Sequence, residues 1–164
     1  MSTEIRTEIL KYIETNSRVD LGELATMLGT DEVAVANEMA QMEKEKIICG
    51  YHTLIDWDKA GADKVTALIE VRVTPQREQG FDRIAERIYN YPEVRAVYLI
   101  SGNFDLLVTL DGKSLREVSQ FVSEKLSTLD SVISTATYFI LKKYKDHGTI
   151  MVSKKESERM LVTL

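Results

Sequence analysis

Val94-Arg-Ala-Val-Tyr-Leu-Ile-Ser-Gly-Asn-Phe-Asp-Leu-Leu-Val-Thr-Leu110 reads as two apolar strands joined by a polar turn, Ser101-Gly102-Asn103-Phe104-Asp105. Strict alternation would direct Val94, Ala96, Tyr98 and Ile100 to one side and Val97 and Leu99 to the other. A pair of strands that is apolar on both sides has to be covered twice. Gly102 is expected to supply a backbone conformation that a Cβ would forbid, while Asn103 and Asp105 are residue types that bond nearby backbone groups in turns. The turn is therefore a small polar point between two buried strands, and a natural place for a ligand.

Around this pair, Val65, Ala67, Ile69, Val71 and Val73 alternate as a strand, and Phe81, Ile84, Ala85 and Ile88 have the spacing of a helix that ends at Tyr91-Pro92. After the pair, the Asp111-Gly-Lys-Ser114 turn precedes a second amphipathic helix marked by Leu115, Val118, Phe121, Val122, Leu126 and Leu129. A last long strand is expected from Val132 to about Tyr144. The order βαββαβ is the ferredoxin-like arrangement. Right-handed crossovers put both helices on one side of such a sheet. The reading leaves Leu68, Val97, Leu99, Leu107, Phe139 and Leu141 on the other side. At ~1.5–3 kcal/mol for each side chain when fully buried, that face is costly to leave in water. A second copy packing sheet to sheet is the simplest cover, so a homodimer is expected.

The first third reads differently. Ile5, Ile9, Leu10 and Ile13 line one face of a first helix, Asp20-Leu-Gly-Glu23 matches a capping box before Leu24, Ala25 and Leu28, and Gly29 ends that second helix. Thr30 or Asp31 then caps a third helix with Val35, Met39 and Met42 as its buried stripe. Three helices with a tight turn before the third make a helix-turn-helix, whose third helix would enter a major groove. Ile47-Ile-Cys-Gly-Tyr-His-Thr-Leu-Ile-Asp56 looks like a strand, a glycine turn and a second strand, which makes the expected form winged. The groove-facing residues would be Thr30, Val33, Asn37 and Gln41, with Arg18, Lys44 and Lys46, and further Lys11 and His52, as phosphate contacts. The boundaries are set at 1–52 for the winged helix-turn-helix, 53–64 for a linker and 65–164 for the ferredoxin-like domain.

Composition narrows the class. The chain has 164 residues with 44% hydrophobic and 29% charged side chains, as in ordinary globular proteins, and no apolar run long enough for a bilayer span. A cytoplasmic protein with no membrane partner is expected. Cys49 is the single cysteine, so neither an internal disulfide nor a cysteine metal knuckle can form. His52 and His147 have no Cys or carboxylate at ligand spacing, no glycine-rich phosphate loop follows a strand, and Ser101 lacks a nucleophile elbow. Neither an enzyme, nor a metal, nor a cofactor is expected. The net charge of −5 falls wholly on residues 1–52, where five basic side chains meet ten acidic ones.

Taken together, the helix-turn-helix ending in Ile48-Cys-Gly-Tyr51, the Val97-Tyr-Leu-Ile-Ser-Gly-Asn-Phe-Asp-Leu-Leu107 strand pair and Val132-Ile-Ser-Thr-Ala-Thr-Tyr138 resemble the Lrp/AsnC (feast/famine) transcription regulators over nearly the whole chain. The resemblance implies sequence-specific binding of double-stranded DNA and dimers formed through the C-terminal sheets, often assembled further into octamers. It also implies a small effector, usually an amino acid, bound between dimers. Carried over by position, the effector-response residues are Leu99, Gly102, Asn103, Phe104 and Asp105, with Ser134, Thr135 and Ala136 contributed by a neighbouring subunit. Amide N–H groups at the turn can receive a carboxylate, and Asp105 either receives an ammonium or bonds its own backbone.

The third helix departs from the family pattern. It reads Val33-Ala-Val-Ala-Asn-Glu-Met-Ala-Gln-Met42, with Asn37, Glu38, Ala40 and Gln41 where arginines are usual. Asp130-Ser131 and Ala136 also differ from the usual residues. The alternative is an effector-binding oligomerisation module whose acidic helix-turn-helix contacts another protein.

Overall fold

A computed structural model describes residues 3–74 and 80–152, in two units that divide after Leu54. In the first unit, α1 (Thr3–Thr15), α2 (Leu21–Leu28) and α3 (Glu32–Lys44) enclose Ile9, Ile13, Leu24, Ala25, Val35, Met42 and Ile48. The helix ends are set by the side chains that the capping pattern predicts. Asp20 accepts from Glu23 N–H at 2.9 Å and Asp31 from Ala34 N–H at 2.8 Å. Gly29 closes α2 in the left-handed region, φ 64°, where a side chain would be strained.

The wing hairpin expected over residues 47–56 does not form, since no residue from 45 to 64 is in a strand. The residues that would begin it are already used. Lys46 takes a left-handed conformation, φ 60°, and the N–H groups of Ile47 and Ile48 both bond Met42 C=O, at 2.9 and 3.2 Å, closing α3. Ile48 then turns into the helical core. From Cys49 to Asp56 the chain runs without a ladder.

The second unit has β1 (Val65–Val73) at the centre of an antiparallel sheet. It pairs with β3 (Leu106–Gly112) on one side and β4 (Val132–Phe139) on the other, and β2 (Val94–Leu99) pairs with β3, giving the order β2-β3-β1-β4. This is the ferredoxin-like topology expected. Both crossover helices, α4 (Asp82–Tyr89) and α5 (Leu115–Phe121), pack on one face over Ala67, Ile69, Val71, Leu106, Val108 and Leu110. The second helix is shorter than its apolar spacing suggests, because Val122–Leu126 widens into a π-helical turn. Gly112 allows β3 to run close to α5, for a Cβ there would lie 2.9 Å from Val118 Cγ2.

The open face differs from the expectation. Val97 pairs with Val108, Leu99 with Leu106 and Phe139 with Ala67, and all three partners are buried under the helices. Paired residues share a face, so Val97, Leu99 and Phe139 belong to the helix side. A register shift between Val94 and Ala96 is the cause in β2, since a bulge puts Val94 and Val97 on one side where strict alternation separates them. Leu141 lies beyond β4, fully in solvent. The open face is therefore built from Leu68, Leu107, Ala96, Tyr98, Ala136 and Tyr138, with Thr66, Glu70, Arg72 and Ser134 among them.

β4 ends earlier than predicted. The ladder with β1 ends at Ala67 and Phe139, followed only by a bond from Ile140 N–H to Thr66 C=O at 2.9 Å. Lys145–Asp146 (β5) and Thr149–Ile150 (β6) make a small separate hairpin. Its two central residues, His147 at φ 43° and Gly148 at φ 80°, fit the type I′ turn that hairpins favour. The charged, then apolar stretch 153–164 lies outside the described residues.

Ile69 is fully buried on the central strand. Ile69→Ala should cost about 2–5 kcal/mol in urea unfolding, through lost burial and the cavity left behind. A cost below ~1 kcal/mol would mean that the helices do not close over this strand.

Candidate functional site

The solvent face of α3 carries Val33, Asn37, Ala40, Gln41 and Lys44, one or two residues per turn. Asn37 makes no side-chain hydrogen bond among the described residues and is free to meet a base edge. Gln41 is not free, because its amide donates to Glu45 Oε1 at 2.7 Å. Thr30 is half-buried at the start of the turn, and its N–H closes α2 on Ala25 C=O at 3.0 Å. Arg18, Lys44 and Lys46 are exposed and make no ion pair among the described residues, whereas Lys11 pairs with Glu8 at 2.8 Å.

Of the acidic residues of α3, Glu32 and Glu43 are exposed, and Glu43 accepts from Tyr51 OH at 2.8 Å. Glu38 turns away from the solvent stripe onto Arg6 of α1, and Arg6 Nη1 also reaches Glu45 Oε2 at 3.0 Å. Hydrogen bonding to Arg6 holds Glu38 below the usual carboxylate range, and hydrogen bonds from Arg6 and then Gln41 do the same for Glu45. Arg6 thus bridges a carboxylate of α3 and the one at its C-terminal cap.

In the second unit the turn between β2 and β3 is pinned to the central strand. Ile100 N–H bonds Asp105 C=O at 2.8 Å, Asp105 N–H bonds Val71 C=O at 3.1 Å, and Asp105 Oδ2 accepts from Val73 N–H at 2.8 Å. This leaves a four-residue loop, Ser101 to Phe104, whose backbone N–H groups have no partner among the described residues. Asp105 is therefore a turn residue through one oxygen, while Oδ1 is uncommitted. Gly102 does not take the left-handed conformation expected of it, and a Cβ there would meet Ile100 Cγ2 at an ordinary 3.5 Å.

The other predicted effector residues separate. Ser134 and Ala136 lie on the open face opposite Arg72 and Glu70, but Thr135 pairs with Val71 and points to the helix layer, its hydroxyl 3.5 Å from that of Ser127. Leu99 is exposed at the helix-side edge of β2, and Phe104 is half-buried. Sequence reasoning missed Arg72. This exposed residue of β1 donates from Nε to Asn103 C=O at 2.7 Å, and its only signal was an outward position in an alternating strand.

Other features lie elsewhere. A cavity of about 420 Å³ opens at the far end of the sheet, lined in part by Trp57, Lys64, Thr66, Ile140 and Met151. Its Lys64 is engaged with Asp111 at 3.0 Å and sits 5.2 Å above the Trp57 ring. Among the described residues no cluster of His, Cys, Asp and Glu could hold a metal ion, and no helix is long and apolar enough to cross a membrane.

The profile of the Lrp/AsnC ligand binding domain matches residues 66–150. The chain is similar to the uncharacterized HTH-type transcriptional regulator YugG of Bacillus subtilis (strain 168), with 49% identity over 162 residues that cover 98% of each chain. It is also 30% identical over 134 residues to the proline dehydrogenase transcriptional activator of Rhodobacter capsulatus, covering 82% of this chain and 86% of that one. A transcriptional regulator from Neisseria meningitidis, solved as a complex with L-methionine, superposes with a TM-score of 0.71 at 20% identity, over 89% of this chain and 94% of that one. At that identity the likeness is one of fold.

The Arg6 cluster makes the first unit sensitive to acid. Glu38 and Glu45 have depressed values in the folded state, so the stability they contribute is present above the unfolded value of about 4.3 and is lost as pH falls through the folded values. The melting temperature should therefore drop below about pH 4, and Arg6→Met should remove part of that drop. An unchanged pH profile in Arg6→Met would show that the cluster does not couple to folding.

Proposed function

The chain belongs to the Lrp/AsnC family of transcriptional regulators, and from that premise we propose that α3 reads double-stranded DNA while the sheet unit dimerises and binds an amino-acid effector at the β2–β3 turn. The observation that carries the DNA reading is the solvent stripe of α3, with Asn37 unbonded and Glu38 withdrawn onto Arg6. Asn37 has the donor and acceptor needed for an adenine edge. Arg18, Lys44 and Lys46 supply about three phosphate contacts per copy, so the affinity of one copy is low and strongly salt-dependent.

The effector reading rests on the turn. Its unpartnered N–H groups suit a carboxylate, and Asp105 Oδ1 suits an ammonium. The methionine complex of a regulator with the same fold supports an amino acid as the class. Dimerisation rests on the open sheet face, where Tyr98 and Tyr138 are each more than half exposed and Leu68 and Leu107 stand between them. A second copy covers these side chains and gives the paired helix-turn-helix units that a two-half-site operator requires.

Two measurements test the proposal. In a shift assay on the region upstream of its own gene, Asn37→Ala should lose about 1–3 kcal/mol for the preferred site and little for random DNA. Equal losses on both would show that Asn37 reads no base, and no binding at all at ~50 mM salt would favour a protein partner for the helix-turn-helix. In sedimentation, Leu107→Asp places a charge on the open face without touching the helix-side core, and it should convert a dimer to a folded monomer. A persistent dimer would place the interface elsewhere.

A further inference from the structure

Arg72 and Asp105 are neighbours of opposite charge that do not pair with each other. Val71 and Leu106 are the last pair of the β1–β3 ladder, and Arg72 and Asp105 are the next residues of the two chains at that end. Yet Asp105 Oδ2 accepts from Val73 N–H, and Arg72 Nε donates to Asn103 C=O. Neither side chain enters an ion pair among the described residues. Glu70, the carboxylate two residues away on the same face, is engaged with Tyr138 OH at 3.3 Å.

Each charged group is thus anchored by one bond to backbone and keeps its remaining capacity. A guanidinium has five donors in a planar fork; with Nε held, the two terminal nitrogens stay available at the turn. They stand beside the loop whose four N–H groups are also unpartnered, and Ser134 faces Arg72 across the β1–β4 ladder. A held cation next to unpartnered amides receives an anion, and the uncommitted Asp105 Oδ1 next to it receives a cation. A ligand that carries both charges a few ångströms apart satisfies both at once.

We propose that Arg72 is an effector-binding residue, taking the carboxylate of a zwitterionic α-amino acid through its terminal nitrogens while Asp105 Oδ1 takes the ammonium. This rests on the reading of the β2–β3 turn as the effector site, and it adds the cation that the turn's own residues lack. Arg is suited to the role because two parallel N–H bonds fix the plane of a carboxylate, which a lysine cannot do.

The test is calorimetric titration of the full chain with the twenty amino acids, and then with the carboxamide of whichever binds. Arg72→Met should weaken the amino acid about 10- to 100-fold. The carboxamide, which has no negative charge, should bind wild type and Arg72→Met alike. Arg72→Lys should recover only part of the loss. Equal weakening of the acid and its amide would overturn the proposal, showing that Arg72 only shapes the turn, and so would unchanged binding of the acid. If no amino acid binds wild type, the effector reading itself fails and this proposal with it. Arg72 is exposed, and matching far-UV spectra and melting curves of the variants would establish that binding, and not folding, was altered.

Discussion

The ladder between β1 and β3 sets everything that the second unit can do. Its register buries Ile69, Val71, Leu106 and Val108 beneath two helices and leaves Leu68, Glu70, Arg72 and Leu107 facing out. At its end Asp105 continues the ladder through Val71 C=O and fastens its own side chain to Val73 N–H. A slip of one residue would exchange the two faces. It would also dissolve the turn, since the same bonds that end the ladder define which four residues form the loop. Packing, the open face and the candidate effector site are in this sense one arrangement.

The first unit faces a different constraint, namely how an acidic domain can meet a polyanion. The charge total suggests conflict, and the placement of the side chains eases part of it at α3. Glu38 and Glu45 are bound to one arginine on α1, and the solvent stripe of α3 presents uncharged side chains with Lys44 at its end. The remaining cations are few, so selectivity has to come from base contacts more than from attraction to phosphates.

Much of this was legible in the residues, and the limits have physical causes. Asp20, Gly29 and Asp31 announce helix ends because capping is local, and the βαββαβ order follows from apolar spacing alone. The side assignment of Val97 and Leu99 failed because a bulge at Arg95 changes the phase, and bulges leave little trace in a periodic pattern. The wing failed because the same residues that could start a strand could also cap α3, and the cap won. The Arg6–Glu38 pair spans 32 positions, and the Arg72–Asn103 bond spans 31. No local rule reaches across such separations. The hairpin at Asp146-His-Gly148 is different, for its turn residues were there to be read.

Among the described residues the backbone N–H groups of Ser101 to Phe104 have no partner, in a frame held by the bonds of Ile100 and Asp105. Amide-proton exchange resolved by NMR reads the state of each of these groups. In the free protein the N–H groups of Ile100 and Asp105 should be protected and those of residues 101–104 should exchange freely. When an amino acid that binds is added, the four loop amides should shift and slow. Protection of the loop amides in the free protein, or a bound amino acid that leaves them unchanged, would show that the effector does not bind at this turn.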